Sequence, residues 1–229
     1  IIHSLHEKGA FYHAANKVFK TTDRGKTWAV VSPDLTRNDT LKQGMSGWPY
    51  TNEGAGGENY GTIAYLTESP HEAGLMYAGS DDGLVHITRD GGKTWQNITP
   101  PGLQESLINC IEVSPHDKAT VYIATTRYKF NDHTPGLYKS TDYGKTWVNI
   151  NNGIAANAFT RCIREDNVLK GLLFAGTEIG LYLSADGGAS WQQQQMGLPI
   201  TPVTDLKVHG GNLIAATMGR SFWVLDDLI

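Results

Sequence analysis

Apolar and polar residues alternate along most of this chain in short runs, each closed by Gly, Pro, Asn, Asp or Ser. A period of two marks half-buried strands, and the punctuation marks tight turns. The pattern predicts strands in groups of four: 2–7, 11–15, 17–22 and 27–32; 62–68, 75–80, 84–89 and 94–99; 108–114, 120–127, 136–141 and 146–151; 158–165, 172–177, 181–185 and 190–195. A fifth group, 202–209, 212–217 and 222–226, stops after three strands. No segment of any length carries a helical period.

Between the third and fourth strand of the first four groups the chain writes nearly the same phrase. The copies are Thr21-Thr-Asp-Arg-Gly-Lys-Thr-Trp28, Thr88-Arg-Asp-Gly-Gly-Lys-Thr-Trp95, Ser140-Thr-Asp-Tyr-Gly-Lys-Thr-Trp147 and Ser184-Ala-Asp-Gly-Gly-Ala-Ser-Trp191. Their tryptophans are 67, 52 and 44 residues apart, so the unit is about 45 residues with one large insertion. Each copy falls at a hairpin turn. There Asp23, Asp90, Asp142 and Asp186 can accept nearby N–H groups, Gly25, Gly92, Gly144 and Gly188 supply positive φ, and Trp28, Trp95, Trp147 and Trp191 anchor the hairpin. These aspartates are therefore expected to staple turns, not to hold a metal or move protons.

Four antiparallel strands per repeat, radially arrayed, define an all-β architecture, the β-propeller. The predicted blades are 1–33, 61–99, 107–151, 157–195 and 201–229, with 34–60 inserted between the first two. The fifth lacks its outer strand, so the pattern implies a portion of a larger propeller, completed by further blades of the same protein or by a second chain.

The octet resembles the Asp-box, or BNR repeat, of sialidases, sortilin-type receptors and xyloglucan-hydrolysing enzymes. The stretches Ser32-Pro-Asp-Leu-Thr-Arg-Asn-Asp39, Ala78-Gly-Ser-Asp-Asp-Gly-Leu-Val85 and Gly219-Arg-Ser-Phe-Trp-Val-Leu-Asp-Asp227 are similar to a large bacterial family of BNR-repeat proteins labelled glycosyl hydrolases or sortilin-like proteins. The resemblance implies fold more than activity, because enzymes and receptors share the motif. It also implies an exported bacterial protein, periplasmic, cell-surface or extracellular, that binds ligands on the face opposite the Asp-boxes.

That opposite face would carry the links between blades and the turns joining second and third strands. In 34–60 it collects Arg37, Trp48, Tyr50, Glu53, a Gly-rich run at 54–57, Glu58 and Tyr60. Aromatic faces beside carboxylates suit a carbohydrate groove, since sugar rings stack on Trp and Tyr. The same residues could instead pack the segment onto a neighbouring blade. The Gly-rich run lacks the Gly-Lys-[Ser/Thr] and following helix of a phosphate loop. Shorter turns add Asp81, Asp82, Arg127, Lys129, Asp132, Glu178 and Arg220. Asp81 aligns with Glu178 in the repeat. A glycosidase needs two carboxyls roughly 5–5.5 Å apart for retention or about 6.5–9.5 Å apart for inversion, and Asp81 or Asp82 with Glu178 is the candidate catalytic dyad. The three clustered arginines and Tyr–Glu pair expected of a sialidase site are absent from the sequence.

Composition narrows the remaining classes. At 229 residues and net charge -4, the chain has core-forming length but no basic footprint for nucleic acid. No apolar run is long enough to span a membrane, and no cofactor is implied. Cys110 and Cys162 occupy matching repeat positions and are expected to be buried free thiols. The eight histidines show no zinc spacing, so no metal is expected. The leading function is a recognition module for carbohydrate, peptide or a protein partner. The alternatives are a glycoside hydrolase resembling xyloglucan-active propeller enzymes and a structural subunit of an envelope or secreted assembly.

Overall fold

A computed structural model describes residues 1–42, 60–226 and 228. It divides into two compact units, Ile1–Ile108 and Asn109–Ile229. The first unit holds β1 (Ile2–His3), β2 (Phe11–Ala14), β3 (Val18–Thr21) and β4 (Ala29–Val30) in one sheet, and β5 (Ile63–Glu68), β6 (Met76–Ser80), β7 (Val85–Thr88) and β8 (Gln96–Asn97) in a second. The third sheet is β9 (Leu107–Val113), β10 (Val121–Arg127), β11 (Asp132–Ser140) and β12 (Val148–Asn149). The fourth is β13 (Thr160–Glu165), β14 (Leu173–Thr177), β15 (Gly180–Ser184) and β16 (Gln192–Gln193), and the last is β17 (Val203–His209), β18 (Asn212–Thr217) and β19 (Phe222–Leu225). Each is an antiparallel meander in chain order, as the alternation predicts. Among the described residues no helix is long and apolar enough to cross a membrane.

Middle strands match their predicted spans closely, whereas outer strands shrink to two residues. One more backbone bond, from the N–H of Val31, Ile98 or Ile150 to the carbonyl of Val18, Val85 or Leu137, is followed by a side chain that closes the ladder: Ser32 Oγ, Thr99 Oγ1 and Asn151 Oδ1 accept the N–H of Val18, Val85 and Leu137 at 2.7, 2.9 and 2.7 Å. The first predicted strand also shortens, because Ser4 Oγ accepts the N–H of His6 and Glu7 and turns the chain out of the sheet.

The four octets close by one hydrogen-bond circuit. In the second, Thr88 Oγ1 donates to Asp90 Oδ1 at 2.9 Å and accepts the Gly92 N–H at 3.0 Å. Asp90 also accepts the Thr94 N–H at 2.9 Å and the Thr94 hydroxyl at 2.6 Å. Thr21–Asp23–Thr27, Ser140–Asp142–Thr146 and Ser184–Asp186–Ser190 repeat it. Donors from Thr27, Thr94, Thr146 and Ser190 hold all four carboxyls down to about 2, the signature of a saturated acceptor.

Within each unit, neighbouring sheets pack face to face. Tyr12 and Val18 of the first sheet meet Met76 and Ala78 of the second, with Leu35, Ile63 and Trp95. The octet tryptophan bonds across the junction. Trp95 Nε1–H donates to the Val31 carbonyl at 2.9 Å, and Trp191 Nε1–H to that of Ile150 at 2.6 Å. A histidine turn does likewise on another strand: His6 Nε2 meets the Ser69 carbonyl at 2.8 Å, and His116 Nε2 that of Asp166 at 2.7 Å.

The octet glycines differ in what they face, and a paired substitution separates the reasons. Gly91 and Gly92 both have positive φ, 73° and 96°. A Cβ at Gly91 meets nothing within 4 Å, whereas at Gly92 it would lie 2.4 Å from the Val31 carbonyl oxygen. Gly91→Ala should cost about 1 kcal/mol of left-handed strain, and Gly92→Ala about 3 kcal/mol or more by adding overlap across the junction. Urea unfolding of both variants checks the difference, and equal losses would contradict it.

Candidate functional site

The first strands β5, β13 and β17 each enter their sheet through an irregularity. The register slips between Ile63 and Tyr65, between Thr160 and Cys162, and between Val203 and Asp205. Such bulges turn the extra side chain, here Ala64, Arg161 or Thr204, out of the ladder. The chain leaving the second strand lies alongside. The Asp81 N–H donates to the Thr62 carbonyl at 2.9 Å and the Glu178 N–H to that of Phe159 at 3.0 Å, so the two acids are equivalent as the repeat alignment requires.

In the first unit, Asp81 caps the entry to β5. It accepts the N–H of Gly61 and Thr62 at 3.0 and 2.8 Å and the Thr62 hydroxyl at 2.9 Å. Burial raises its pKa, partly opposed by the Thr62 donors. Asp82 is fully buried. It accepts the Arg37 N–H at 2.7 Å and the Ser80 hydroxyl at 2.5 Å, while its own carbonyl takes the Arg37 Nε–H at 2.7 Å. Tyr60 is 8% exposed, with the Lys42 ammonium 5.6 Å from its ring centre, and Lys42 pairs with Glu105 at 2.5 Å. Arg37, Lys42 and Tyr60 thus pin down both ends of the long insertion, the packing role left open for it. Trp48, Tyr50 and Glu58 lie outside the described residues.

The second unit assembles a denser group. Glu178 grips Arg161, at 2.8 Å to Nε and 2.6 Å to Nη2. Arg161 in turn covers the Phe159 ring at 5.1 Å. From the third sheet, a 3-10 turn at Tyr128–Phe130 lays Tyr128 on Phe159, ring centres 5.8 Å apart and 21° from parallel, and His133 stands 5.6 Å away. Arg127 pairs with Asp132 at 2.9 Å and lies over Phe130 at 4.9 Å. Phe159 is therefore the buried pivot. Tyr128 and Phe130 stay 42% and 37% exposed, between two neutralised Arg–carboxylate pairs. On the third sheet, Thr126 and Asn109 hold the repeat positions of Glu178 and Arg161, and their Oγ1 and Oδ1 are buried without a partner. Arg220 sits apart, on the exposed β18–β19 turn, its carbonyl accepting the Trp223 indole N–H at 2.8 Å.

Arg127, Asp132 and Glu178 are legible in the sequence as loop charges, whereas Tyr128, Phe130, His133, Phe159 and Arg161 join the site only in the folded chain. Aligning strand-one entrances would have found Arg161 opposite Glu178. Nothing in the alternation marks a 3-10 turn that stacks aromatics across sheets. Among the described residues no group of three or more His, Cys, Asp or Glu could hold a metal ion.

Deeper in the same unit, β9, β13 and β17 share a buried guanidinium. Arg164 donates to the Leu206 carbonyl at 2.7 Å, Asp205 Oδ1 at 2.7 Å, the Ile163 carbonyl at 2.9 Å, Cys110 Sγ at 2.6 Å and Glu112 Oε2 at 3.5 Å. Cys110 and Cys162 are free and buried, as expected, and burial raises both thiols, which makes them inert.

The chain carries BNR/Asp-box repeats: the family model of that description matches residues 86–97, the second octet and its flanking strands. An oligoxyloglucan-reducing end-specific xyloglucanase of Emericella nidulans is 25% identical over 182 residues, covering 69% of this chain but 22% of that protein. The GH74 xyloglucanase of Xanthomonas campestris superposes with TM-score 0.69 at 15% identity, over 99% of this chain and 36% of that one. YCF48 bound to D1 peptide gives TM-score 0.54 at 18% identity, over 72% of this chain and 51% of that one. The chain is an all-β array of Asp-box propeller blades, and it spans only part of the length of each of these proteins.

Burial raises the Glu112 carboxyl from 4.5 to about 7, with Arg164 opposing. A proton thus binds the folded state more tightly than the unfolded one, so this contribution is full below pH 4.5 and is lost as pH rises through 7. Glu112→Gln should flatten the decline in urea midpoint across that window. An unchanged slope would assign the pH dependence elsewhere.

Proposed function

We propose that the loop-bearing end of the second unit is a carbohydrate-recognition surface. The single observation that carries this reading is the exposed Tyr128–Phe130 turn braced on Phe159 between the Arg127–Asp132 and Arg161–Glu178 pairs. A braced aromatic loses little freedom when a sugar ring stacks on it, and the flanking ion pairs offer both donors and acceptors to hydroxyls. The unpartnered Thr126 Oγ1 and Asn109 Oδ1 add polar capacity on the same sheet as the Tyr128–Phe130 turn. The similarity to xyloglucanases supports a β-glucan-type polysaccharide as ligand, and a polymer of that size implies an exported protein. Similarity to a peptide-bound propeller keeps a peptide or protein ligand at the same end as the competing outcome.

A second reading, glycoside hydrolysis, is favoured by the raised pKa of Asp81, since a general acid must hold its proton toward neutral pH. Against it, Asp81, Asp82 and Glu178 already spend their oxygens on Gly61, Thr62, Arg37, Ser80 and Arg161.

Calorimetric titration with xyloglucan oligosaccharides decides the first reading. Tyr128→Ala should weaken binding at least tenfold, about 1.4 kcal/mol, while Arg220→Ala leaves it unchanged. Equal affinity in wild type and Tyr128→Ala would remove the platform from the site. A reducing-sugar assay addresses the second. No release by the wild type is expected, and release abolished by both Asp81→Asn and Glu178→Gln would restore the hydrolase.

A further inference from the structure

The corner where a first strand enters its sheet beside the end of the second recurs through the repeat, but its chemistry changes from copy to copy. In the second sheet the bulge residue is Ala64, and Asp81 is taken up by the donors of Gly61 and Thr62. In the third, Asn109 and Thr126 stand there. In the last, the Thr204 hydroxyl donates to the Ala216 carbonyl at 3.2 Å, and Met218 takes the acid's place, its N–H donating to the Pro202 carbonyl at 3.0 Å. The fourth sheet alone among these puts opposite charges at the corner, Arg161 and Glu178.

Both contacts of that pair fall on one carboxylate oxygen. Glu178 Oε2 accepts the Arg161 Nε–H at 2.8 Å and lies 2.6 Å from Nη2. A guanidinium held along that edge keeps Nη1 as a donor, and the carboxylate keeps Oε1 as an acceptor. Neither atom has a hydrogen-bond partner among the described residues, and the two side chains are 19% and 33% exposed. Both residues are fixed in place: the Glu178 N–H donates to the Phe159 carbonyl at 3.0 Å, and the Arg161 guanidinium covers the Phe159 ring at 5.1 Å. The Arg127–Asp132 pair is different. Asp132 commits Oδ2 to Arg127 Nε–H at 2.9 Å, and Oδ1 to the Thr134 N–H and hydroxyl at 3.1 and 2.7 Å.

We infer that Arg161 and Glu178 are specificity-determining residues of this surface and read two neighbouring hydroxyls of one sugar ring. One hydroxyl donates to Glu178 Oε1 and the next accepts from Arg161 Nη1. The inference rests on the reading of the Tyr128–Phe130 turn as a sugar platform, and Phe159 joins the two, carrying Tyr128 and Arg161 on the same ring. A hydroxyl both donates and accepts, so an adjacent pair of them matches an adjacent acceptor and donor, and bonds to ionised groups are the stronger kind. The ion pair has no net charge, which suits a neutral sugar. Linkage selectivity follows. Every internal residue of cellohexaose keeps two neighbouring ring hydroxyls free. In laminarihexaose the linkage consumes the middle hydroxyl of three, and its internal residues have no such pair.

Calorimetric titration of the full chain with these two hexasaccharides tests this. Wild type should bind cellohexaose at least tenfold more tightly than laminarihexaose. Glu178→Gln replaces a carboxylate oxygen by a donor, and Arg161→Lys keeps the charge but loses the planar donor edge. Each should weaken cellohexaose binding at least tenfold and leave laminarihexaose binding unchanged, with circular dichroism as in wild type. Tyr128→Ala should weaken both ligands together. Equal affinity of wild type for the two hexasaccharides would overturn the inference. A preference that survives in both Glu178→Gln and Arg161→Lys while Tyr128→Ala abolishes binding would overturn it too, and leave the platform standing. Wild type that binds neither hexasaccharide would overturn the platform and the inference together.

Discussion

The structure depends on one small circuit, in which a hydroxyl both donates to an aspartate and accepts an amide four residues on. Its value lies in local closure: the aspartate and the leading hydroxyl find partners inside the turn, while the amide after the aspartate, at Gly91, Tyr143 and Gly187, reaches the carbonyl of Gly74, Ala119 or Gly171. That frees the tryptophan that follows to reach outward, and Trp95 and Trp191 spend their indole N–H on the preceding sheet. Local closure and sheet-to-sheet adhesion are thereby written into one octet. The glycine serves both, since at Gly92 the turn needs positive φ and the adjoining carbonyl leaves no room for a methyl group.

The strand order was legible because a period of two survives wherever one face is buried. It was legible least at the rim, where predicted strands such as 146–151 reduce to Val148–Asn149, and the Ile150 N–H and a side chain from Asn151 finish the ladder. Sequence alternation cannot distinguish a backbone partner from an amide side chain in that place. The histidine turns escaped for a related reason. Ser4-Leu-His6 and Ser114-Pro-His116 are three-residue patterns whose meaning appears only when the ring is seen on the next sheet.

The candidate site was legible in its charges and hidden in its rings. Arg127, Asp132 and Glu178 stood out as loop charges, and the repeat aligned Glu178 with Asp81. Phe159, by contrast, reads as an ordinary apolar residue ahead of a strand. It becomes the pivot only because Tyr128, His133 and Arg161 converge on it from two sheets. The equivalent corner in the first unit is filled by backbone donors to Asp81, so identical folds carry different chemistry at matching corners.

The two-residue outer strands set how the molecule would age in sequence. Ala29–Val30, Gln96–Asn97, Val148–Asn149 and Gln192–Gln193 all face solvent and range from aliphatic to amide side chains. Selection has little to grip there, so such rims would drift fastest among related chains. Recognisable kinship would then shrink toward the hairpin tips, leaving brief islands of likeness in otherwise unrelated text.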